Sequence, residues 1–336
     1  MRVLITGGAG FIGSNFLRYV LKVQPYWEIF VIDAFKYSGH EENLVDLPPE
    51  KVKLFRIDIS DKQGLFEVWK EIKPETVFHL AAESHVDRSI LSPENFVQTN
   101  VYGTFCLLEA ARLFGVNKFI HISTDEVYGS ISYPEKADEN FLLHPSSPYS
   151  ASKASSDLLA LSYFKTYGTP VLITRSSNNY GPRQTPEKFI PLAIYNLLND
   201  KPIPIYGDGQ QIRNWIFVED NCEAILQVAL NGRIGEIYNI GSSEPKEVTN
   251  LEIAKKLCYL LGKSESLIKF VKDRPAHDRR YSIDCSKIIR ELGWSQRTPF
   301  EKGLQMTVEW YQSNTHWLEA IRSKLDYFFK QNYENR

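Results

Sequence analysis

The chain has 336 residues, of which 43% are hydrophobic and 24% are charged, a composition typical of a globular protein. Lysine and arginine (39) nearly balance aspartate and glutamate (41), so the charge excludes a strongly basic nucleic-acid-binding surface and a long charged tail. The length exceeds the size at which chains tend to divide, so we expect one large domain and a smaller one.

Four cysteines stand far apart in the sequence, at Cys106, Cys222, Cys258 and Cys285. No C-x-x-C pair and no metal-like Cys/His spacing occurs, so we expect free thiols and no metal site. The first residues, "MRVLIT", lead directly into a glycine turn without a signal-peptide pattern, and no apolar window is long enough to span a bilayer. We therefore expect a cytoplasmic protein.

Short apolar runs in the first half alternate with longer stretches of helical periodicity. Continuous apolar runs indicate strands that are buried on both faces, and strand–helix alternation indicates a parallel sheet covered by helices on both sides. The predicted strands are "RVLIT" (2–6), "EIFVID" (28–33), "VKLFRID" (52–58), "TVFHLA" (76–81), "KFIHIS" (118–123) and "PVLITR" (170–175). The sequence therefore predicts an α/β fold with a doubly wound parallel sheet.

After residue 180 the sequence becomes richer in proline, glycine and polar residues. The segments 217–230 and 236–241 indicate one more helix and one more strand that return to the sheet. From residue 247 onward the pattern is helical, with a basic interruption at 272–284. We predict a dinucleotide-binding domain of residues 1–180 plus 213–240, a smaller, discontinuous substrate domain of residues 181–212 plus 241–322, and a C-terminal tail of residues 323–336.

A glycine-rich turn, "ITGGAGFIGSN", joins the first predicted strand to the first helix. It contains Gly8-x-Gly10-x-x-Gly13, and equally Gly7-x-x-Gly10-x-x-Gly13. Glycines there allow a tight turn and let the backbone approach a pyrophosphate at the helix N-terminus. The second strand ends on Asp33, where a carboxylate would bond a ribose 2′-hydroxyl and repel a 2′-phosphate. The pattern predicts a Rossmann-type NAD site; a glycine loop that serves only packing is the alternative.

Two further strand ends carry candidate cofactor contacts. Asp58 ends the third predicted strand, where it either meets the adenine or is a plain turn residue. The small Ala81 and Ala82 follow the fourth strand and would let a cofactor lie close, because such sheets bind ligands at the carboxyl ends of their strands.

The stretch "STDEVYG" places two carboxylates side by side after a buried strand. Asp125 and Glu126 follow Thr124, the last residue before the turn. One interpretation is a polar turn that caps a short helix. The other is an acid and a base beside one substrate, which an elimination reaction requires at the same time.

A tyrosine and a lysine at i and i+4 occur in "SPYSASKAS". Ser146 or Ser147 could cap this helix, and Pro148 suits its first turn. The spacing places Tyr149 and Lys153 on one helical face, so both can reach the same ligand. Lowering the tyrosine pKa by about three units needs roughly 4 kcal/mol, which a nearby ammonium and a positive nicotinamide ring would supply in a dry site.

Together these residues resemble the extended short-chain dehydrogenase/reductase family over nearly the whole chain. Within that family "STDEVYG" is similar to the dTDP-glucose 4,6-dehydratases, whereas the epimerases usually lack the Asp-Glu pair. Other segments that carry the resemblance are "AAESHVDRSI" (81–90), "YSASKA" (149–154), "TRSSNNYGPRQTPEKFIPL" (174–192), "PIPIYGDG" (202–209) and "DRPAHDRRYSID" (273–284).

The resemblance implies a reaction and a role for each catalytic residue. Tyr149 would take the proton of the sugar 4-hydroxyl, Thr124 would hydrogen-bond that hydroxyl, and Lys153 would hold the cofactor ribose. Glu126 would then remove the C5 proton while Asp125 protonates the departing 6-hydroxyl. The net change is the loss of one water, with NAD regenerated.

The resemblance also implies binding residues. The cofactor would contact Gly7, Gly10, Phe11, Ile12, Gly13, Asp33, Asp58, Ile59, Ala81, Ala82, Thr99, Tyr149, Lys153 and Asn179. The nucleotide sugar would contact Ser84, His85, Thr124, Asn178, Lys188, Pro204, Tyr206, Arg213, Asn250, Arg274 and His277. For the arginine-rich stretch the alternative is a solvated loop, and for "PIPIY" it is an edge strand.

The resemblance leaves several alternatives open. A UDP-glucose 4,6-dehydratase shares many of these motifs, and an epimerase or decarboxylase shares the fold. A non-catalytic dinucleotide sensor is a different class, disfavoured by Thr124, Tyr149 and Lys153. A homodimer is implied, paired through the helix at about 100–114 and the helix that carries Tyr149. The segment 130–147 is short for the family, which leaves lid behaviour open.

Overall fold

A seven-stranded parallel sheet forms the centre of the molecule. The computed structural model describes residues 1–244, 246–322 and 324–325. The strands lie in the order β11-β6-β5-β4-β1-β2-β3. Their bounds are β1 Arg2–Thr6, β2 Glu28–Asp33, β3 Val52–Arg56, β4 Thr76–His79, β5 Lys118–Thr124, β6 Val171–Ser176 and β11 Ile237–Ile240. The order reverses between β1 and β4, and such a switch point opens a crevice at the carboxyl ends of the strands.

The α-helices account for much of the remaining chain. Their bounds are α1 Phe11–Val23, α2 Lys62–Ile72, α3 Val86–Leu91, α4 Pro93–Phe96, α5 Thr104–Phe114, α6 Pro148–Tyr167, α7 Phe189–Leu198, α8 Val218–Asn231, α9 Asn250–Leu260, α10 Ser286–Leu292, α11 Phe300–Ser313 and α12 Thr315–Ala320. Among the described residues, none of these helices has the length and apolar character that crossing a membrane would require.

Local sequence signals fix the start of α6, the helix that carries Tyr149. Ser147 and Ser150 form a reciprocal capping box, and Pro148 occupies the first turn. Gly168 ends the helix in the left-handed conformation, with φ of 70°. These caps satisfy backbone hydrogen-bonding groups at both ends of α6 and define where the helix that carries Tyr149 and Lys153 begins and ends.

The doubly wound α/β fold predicted from the sequence is confirmed, and the largest shifts in strand boundaries occur at two strand ends. The predicted strand 52–58 ends at Arg56, and the predicted strand 76–81 ends at His79. The residues that follow leave the ladder and turn over the carboxyl edge of the sheet, where Asp58 and Ala81 line a cleft. Because the residues after β3 and β4 continue the apolar pattern of these strands, the sequence predicted them as strand as well.

A second group of elements packs beside the sheet around α7, α9 and α11. Its apolar core includes Ile194, Leu257 and Leu304, all fully buried. Three two-stranded ladders accompany these helices. They are β7 Asn178–Tyr180 with β10 Trp215–Phe217, β8 Ile203–Tyr206 with β13 Ile268–Val271, and β9 Ile212–Arg213 with β12 Val248–Thr249.

The helical pattern expected from residue 247 onward, with an interruption at 272–284, is wrong at the two-residue β12 and at β13. The latter strand pairs in parallel with β8, from Ile268 opposite Ile203 to Val271 opposite Tyr206. The pairing partner lies more than sixty residues earlier in the chain, so local periodicity could not reveal it. The predicted domain boundaries stay a prediction, and the tail from residue 326 onward lies outside the described residues.

Candidate active site

A single long cleft runs along the carboxyl edge of the sheet and continues between the sheet and the second group of elements. All the predicted cofactor and substrate residues line it, together with Thr124, Glu126, Tyr149 and Lys153. Asp125 is the one predicted residue that does not line the cleft: it lies behind the wall and is only 2% exposed. The fold therefore gathers residues from Gly7 to His277 at one site.

Backbone packs directly on backbone in the glycine turn at one end of the cleft. Gly7 has φ of 73°, and a Cβ there would lie 2.6 Å from the Ala81 nitrogen. A Cβ at Gly13 would lie 2.1 Å from the Gly7 oxygen. The turn thus has no room for side chains, and it leaves the N-terminal amides of α1 facing the cleft. A helix N-terminus of this kind binds a diphosphate, so the residues fit a dinucleotide.

Two carboxylates border the same end of the cleft. Asp33 accepts hydrogen bonds from the backbone nitrogens of Ala9 and Phe35, at 2.9 and 2.8 Å. Its burial raises its pKa, and these two bonds oppose that shift. Burial also acts on Asp58, but hydrogen bonds from Lys36 and Ser60 bring its pKa below the usual value. Asp33 is thus tied to the glycine turn at the end of β2, and its predicted contact with a ribose stays a prediction.

The stretch after β5 places Thr124, Asp125 and Glu126 at the middle of the cleft. A 3₁₀ turn spans Asp125–Tyr128, and all of its residues are buried. Asp125 Oδ1 accepts from Thr124 Oγ1 at 3.3 Å, whereas its Oδ2 has no hydrogen-bond partner among the described residues. Burial, and then the charge of Glu126, raise the pKa of Asp125 well above its usual range. Burial and the neighbouring charge thus favour the protonated form of Asp125.

Tyr149 and Lys153 approach the same point from α6. Lys153 Nζ donates to the Ile122 carbonyl oxygen at 2.8 Å. Burial lowers the pKa of Lys153 to about 8, and the charge of Asp157 opposes this. Burial and Glu126 raise the pKa of Tyr149 well above 10, while a hydrogen bond with Thr124 lowers it. Burial and Glu126 thus oppose the lowered Tyr149 pKa that the sequence predicts, and that lowering stays a prediction.

Cationic side chains line the other end of the cleft. Arg274 Nη1 pairs with Asp87 Oδ1 at 3.0 Å, and Tyr206 donates to Asp87 Oδ2 at 2.8 Å. Arg213 lies over the Tyr281 ring, 4.2 Å from its centroid. Asp87 thus orients one guanidinium and Tyr281 supports the other. Two arginines held in this way fit the oxygens of a diphosphate, whose geometry matches the guanidinium fork.

Further polar side chains complete this end. Burial, followed by the charge of Arg274, lowers the pKa of His277 to about 4, so its ring is neutral near pH 7. Lys188 Nζ donates to the Ser84 carbonyl oxygen at 2.5 Å, and His85 Nε2 lies 3.0 Å from the Glu187 carbonyl oxygen. The buried amide oxygens of Asn178, Asn179 and Asn250 have no partner within the part of the chain that is described. These oxygens are acceptors for ligand hydroxyl or amide groups.

Sequence reasoning missed four residues of this site. Asp87 orients Arg274 and Tyr206, and Tyr281 donates to Asp278 Oδ2 at 2.7 Å while its hydroxyl lies 3.5 Å from Glu126 Oε2. Glu83 and Glu187 line the cleft as buried carboxyls with raised pKa values. All four lie inside the motifs already noted at 81–90, 174–192 and 273–284. Their proximity in sequence to predicted site residues was the signal that could have identified them.

Comparisons with known proteins identify the family to which this chain belongs. The model of the family described as GDP-mannose 4,6 dehydratase matches residues 4–307. A dTDP-glucose 4,6-dehydratase from Haemophilus influenzae is 48% identical, with 94% of this chain and 99% of the relative covered. Another from Salmonella typhimurium is 46% identical, with 100% of both chains covered.

A solved structure extends the comparison to three dimensions. DesIV, a dTDP-glucose 4,6-dehydratase from Streptomyces venezuelae crystallised with NAD bound, superimposes with a TM-score of 0.90 at 46% identity. The superposition covers 94% of this chain and 98% of DesIV. The chain therefore belongs to the dTDP-glucose 4,6-dehydratases of the extended short-chain dehydrogenase/reductase family.

Proposed function

We propose that this protein converts dTDP-glucose to dTDP-4-keto-6-deoxyglucose, the NAD-dependent hydro-lyase step of deoxysugar biosynthesis. The observation that carries the proposal is the Asp125–Glu126 pair, buried between Thr124 and the Tyr149 helix with the pKa of Asp125 raised. Elimination of water needs one protonated and one ionised carboxyl at the same time. An epimerase needs neither, which disfavours that alternative.

NAD would lie along the glycine turn and the strand ends, held by the α1 N-terminus, Asp33 and Lys153. When bound there, it supplies hydride acceptance at C4 of the sugar and hydride return at C6. The crowding at Gly7 and Gly13 supports this placement, because backbone that tolerates no Cβ is what close approach to a diphosphate requires.

The chain's own side chains would move the protons. Tyr149 as phenolate takes the proton from the 4-hydroxyl, and Thr124 hydrogen-bonds that oxygen. Glu126 then takes the C5 proton, the C5–H electron pair becomes the C5–C6 double bond, and the C6–O bond breaks. Asp125 gives its proton to the departing oxygen, which leaves as water. The orphaned Asp125 Oδ2 supports this role, although its side chain must first rotate into the cleft.

The nucleotide would lie at the cationic end of the cleft. Arg213 and Arg274 would bind the diphosphate, and Lys188, Pro204 and Tyr206 the thymidine. Ser84, His85, Asn178, Asn250 and His277 would contact the sugar and the linker. The convergence of these residues on one cleft supports these assignments.

We also propose that two copies pair through α5 and α6. These helices expose Leu113, Leu158 and Tyr167, which are 50%, 58% and 57% accessible. Exposed apolar side chains of this size on two packed helices support a self-association face. Sedimentation at twice the chain mass of 38.7 kDa would support the dimer, and monomer mass would exclude it. A cytoplasmic location stays part of the same proposal.

The test is to incubate the purified protein with dTDP-glucose and, separately, with UDP-glucose, without added reductant. We expect mass spectrometry to find loss of one water from dTDP-glucose and, in D₂O, one deuterium at C5. Loss of water only from UDP-glucose would keep the chemistry and change the substrate. A product of unchanged mass with altered stereochemistry would overturn the proposal in favour of an epimerase.

Two variants locate the step. Asp125→Asn and Glu126→Gln should each lower water loss by about 10²- to 10⁴-fold, the usual contribution of a general acid or base. Oxidation at C4 should persist, seen as absorbance of reduced nicotinamide bound to the protein. Glu135→Gln, an exposed carboxyl in the following segment, is the matched control and should leave the rate unchanged.

A further inference from the structure

A buried carboxylate, Asp157, lies on α6 one turn beyond Lys153 and pairs with Arg175 of β6. Tyr149, Lys153 and Asp157 are spaced at i, i+4 and i+8, so they follow one another along one face of the helix. Tyr149 and Lys153 line the cleft, whereas Asp157 does not and has no solvent exposure. The family's catalytic assignments given above leave this carboxylate without a function.

Asp157 is the centre of a polar network inside the core. Its Oδ2 accepts from Arg175 Nε at 2.9 Å, and its Oδ1 lies 3.2 Å from His121 Nε2. Arg175 Nη1 donates to the Tyr128 hydroxyl at 2.9 Å, which in turn donates to Asn239 Oδ1 at 2.8 Å. The network connects α6 with strands β5, β6 and β11, so the position of the carboxylate is fixed from several sides.

Such a network costs stability. Removing two charges from water is expensive, and an apolar core of the same volume is often more stable than a buried ion pair. Stability alone therefore does not explain a charge at this position. An electrostatic effect on the neighbouring Lys153 would explain it.

Lys153 needs a countercharge. Its Nζ donates to a neutral carbonyl oxygen, that of Ile122, and the side chain is buried. Burial lowers its pKa to about 8, and Asp157 acts against this. The other groups near it on β4 and β5 are His79 and His121, whose pKa values are lowered by burial first and by charges that include Lys153. Both imidazoles are therefore neutral near pH 7 and leave the countercharge to Asp157.

We propose that Asp157 is a positioning residue for the reaction: its buried carboxylate keeps the Lys153 ammonium charged beside Tyr149. Arg175 and His121 hold the carboxylate at this point, while Glu126 in the cleft and Asp125 behind its wall act on Tyr149 from the turn after β5. Without the Asp157 charge, Lys153 loses its proton at a lower pH. Tyr149 then loses one of the cations that stabilise its phenolate, and proton removal from the 4-hydroxyl slows.

The inference rests on the proposed function, and its first test is independent of substrate. Lys153 is followed by NMR in protein with ¹³C-labelled lysine, with Lys153→Met used to assign its signal. We expect Asp157→Asn to lower the pH at which Lys153 titrates by about one pH unit, the low end of the effect of a nearby opposite charge. An unchanged Lys153 titration would overturn the inference, whatever the substrate proves to be.

The second test is the pH dependence of kcat for water loss. The basic limb of the profile should move to lower pH by about the same amount in Asp157→Asn, because a neutral Lys153 supports no phenolate. Asp157→Glu keeps the charge and should restore the limb. Ser156→Ala is the matched control: Ser156 hydrogen-bonds in the same network but carries no charge, so its loss should leave the limb in place. A limb shifted equally by Ser156→Ala would show a merely structural role.

Asp157→Asn leaves Arg175 buried without its partner, which could prevent folding. The double variant Asp157→Asn with Arg175→Gln removes both charges together, which buried pairs tolerate far better than the loss of one. It should lower the titration of Lys153 in the same direction, by less than Asp157→Asn alone, because the positive charge of Arg175 is removed as well. An unshifted titration in a folded double variant would also overturn the inference.

Discussion

The two ends of the cleft are built in opposite ways. The cofactor end is shaped by backbone: at Gly7 and Gly13 there is no room for a single added carbon. The substrate end is shaped by long side chains, with Arg274 oriented by Asp87 and Arg213 resting on Tyr281. A common dinucleotide can be held by a fixed surface of amides. A specific nucleotide sugar requires charged and aromatic side chains at defined positions, and here these side chains come from segments that are distant in sequence.

This contrast predicts that the cofactor end tolerates no added atom, the largest effect that we expect. Gly7→Ala should reduce the free energy of unfolding by more than the roughly 1–3 kcal/mol of an unfavourable backbone conformation, because its Cβ also meets the Ala81 backbone. The protein should also fail to retain NAD. The measurements are urea unfolding and the nucleotide released on denaturation.

Gly262→Ala separates the two contributions. Gly262 has φ of 64°, close to that of Gly7, but no atom lies within 4 Å of its added Cβ. Only the conformational cost should appear, with NAD retained. Equal losses of stability in the two variants would show that crowding is not what shapes the turn.

At the substrate end, the expected effect is on binding and is smaller. Arg274→Ala should raise KM for dTDP-glucose by about 10- to 100-fold, the range for a lost hydrogen bond to a charged group, while bound NAD stays constant. The neighbouring Arg279 is exposed and pairs with Asp208, so Arg279→Ala is the matched control and should leave KM unchanged. Loss of NAD in Arg274→Ala would contradict the division of the cleft into two ends.

The smallest effect concerns His40, which joins the two ends. Its Nε2 lies 2.9 Å from Thr185 Oγ1, while its backbone nitrogen donates to the Ala9 oxygen at 3.1 Å. Burial lowers the pKa of His40 to about 3, so below pH 6.5 the unfolded chain binds a proton that the folded chain does not. Stability due to this group is therefore complete above pH 6.5 and is lost as the pH falls toward 3.

Urea unfolding at pH 7.5 and 5.5 measures this contribution. Each such proton accounts for about 1.4 kcal/mol per pH unit below the unfolded pKa. His40→Gln should remove about that much of the difference between the two pH values, since other buried histidines with lowered pKa values remain. An unchanged difference would show that His40 is protonated in the folded state.

Much of this molecule could be predicted from its sequence because the relevant signals are local. A buried parallel strand, a glycine turn and a tyrosine–lysine spacing each depend on residues within one element or two. The features that could not be predicted depend on packing between segments that are distant in sequence. The strand β13 exists through its pairing with β8, and Asp87 acquires its function only when Arg274 meets it.

The position of Asp125 behind the cleft wall also could not be predicted from the sequence. "TDE" fixes the order of the three residues, but the 3₁₀ turn decides which side chains face the cleft. Periodicity cannot distinguish Glu126, which lines the cleft, from Asp125, which does not. The roles of the individual site residues therefore stay predictions until the variants above are measured.

The pairing of Asp87 with Arg274 has a consequence for synthesis of the protein. The two residues are 187 positions apart, and the later one completes the cationic wall of the cleft. At typical rates of translation, roughly 10 to 40 s separate their emergence from the ribosome. Asp87 and Tyr206 are both synthesised before the arginine that pairs with Asp87. The glycine turn at one end of the cleft is therefore synthesised well before the residue that completes the cationic wall at the other end.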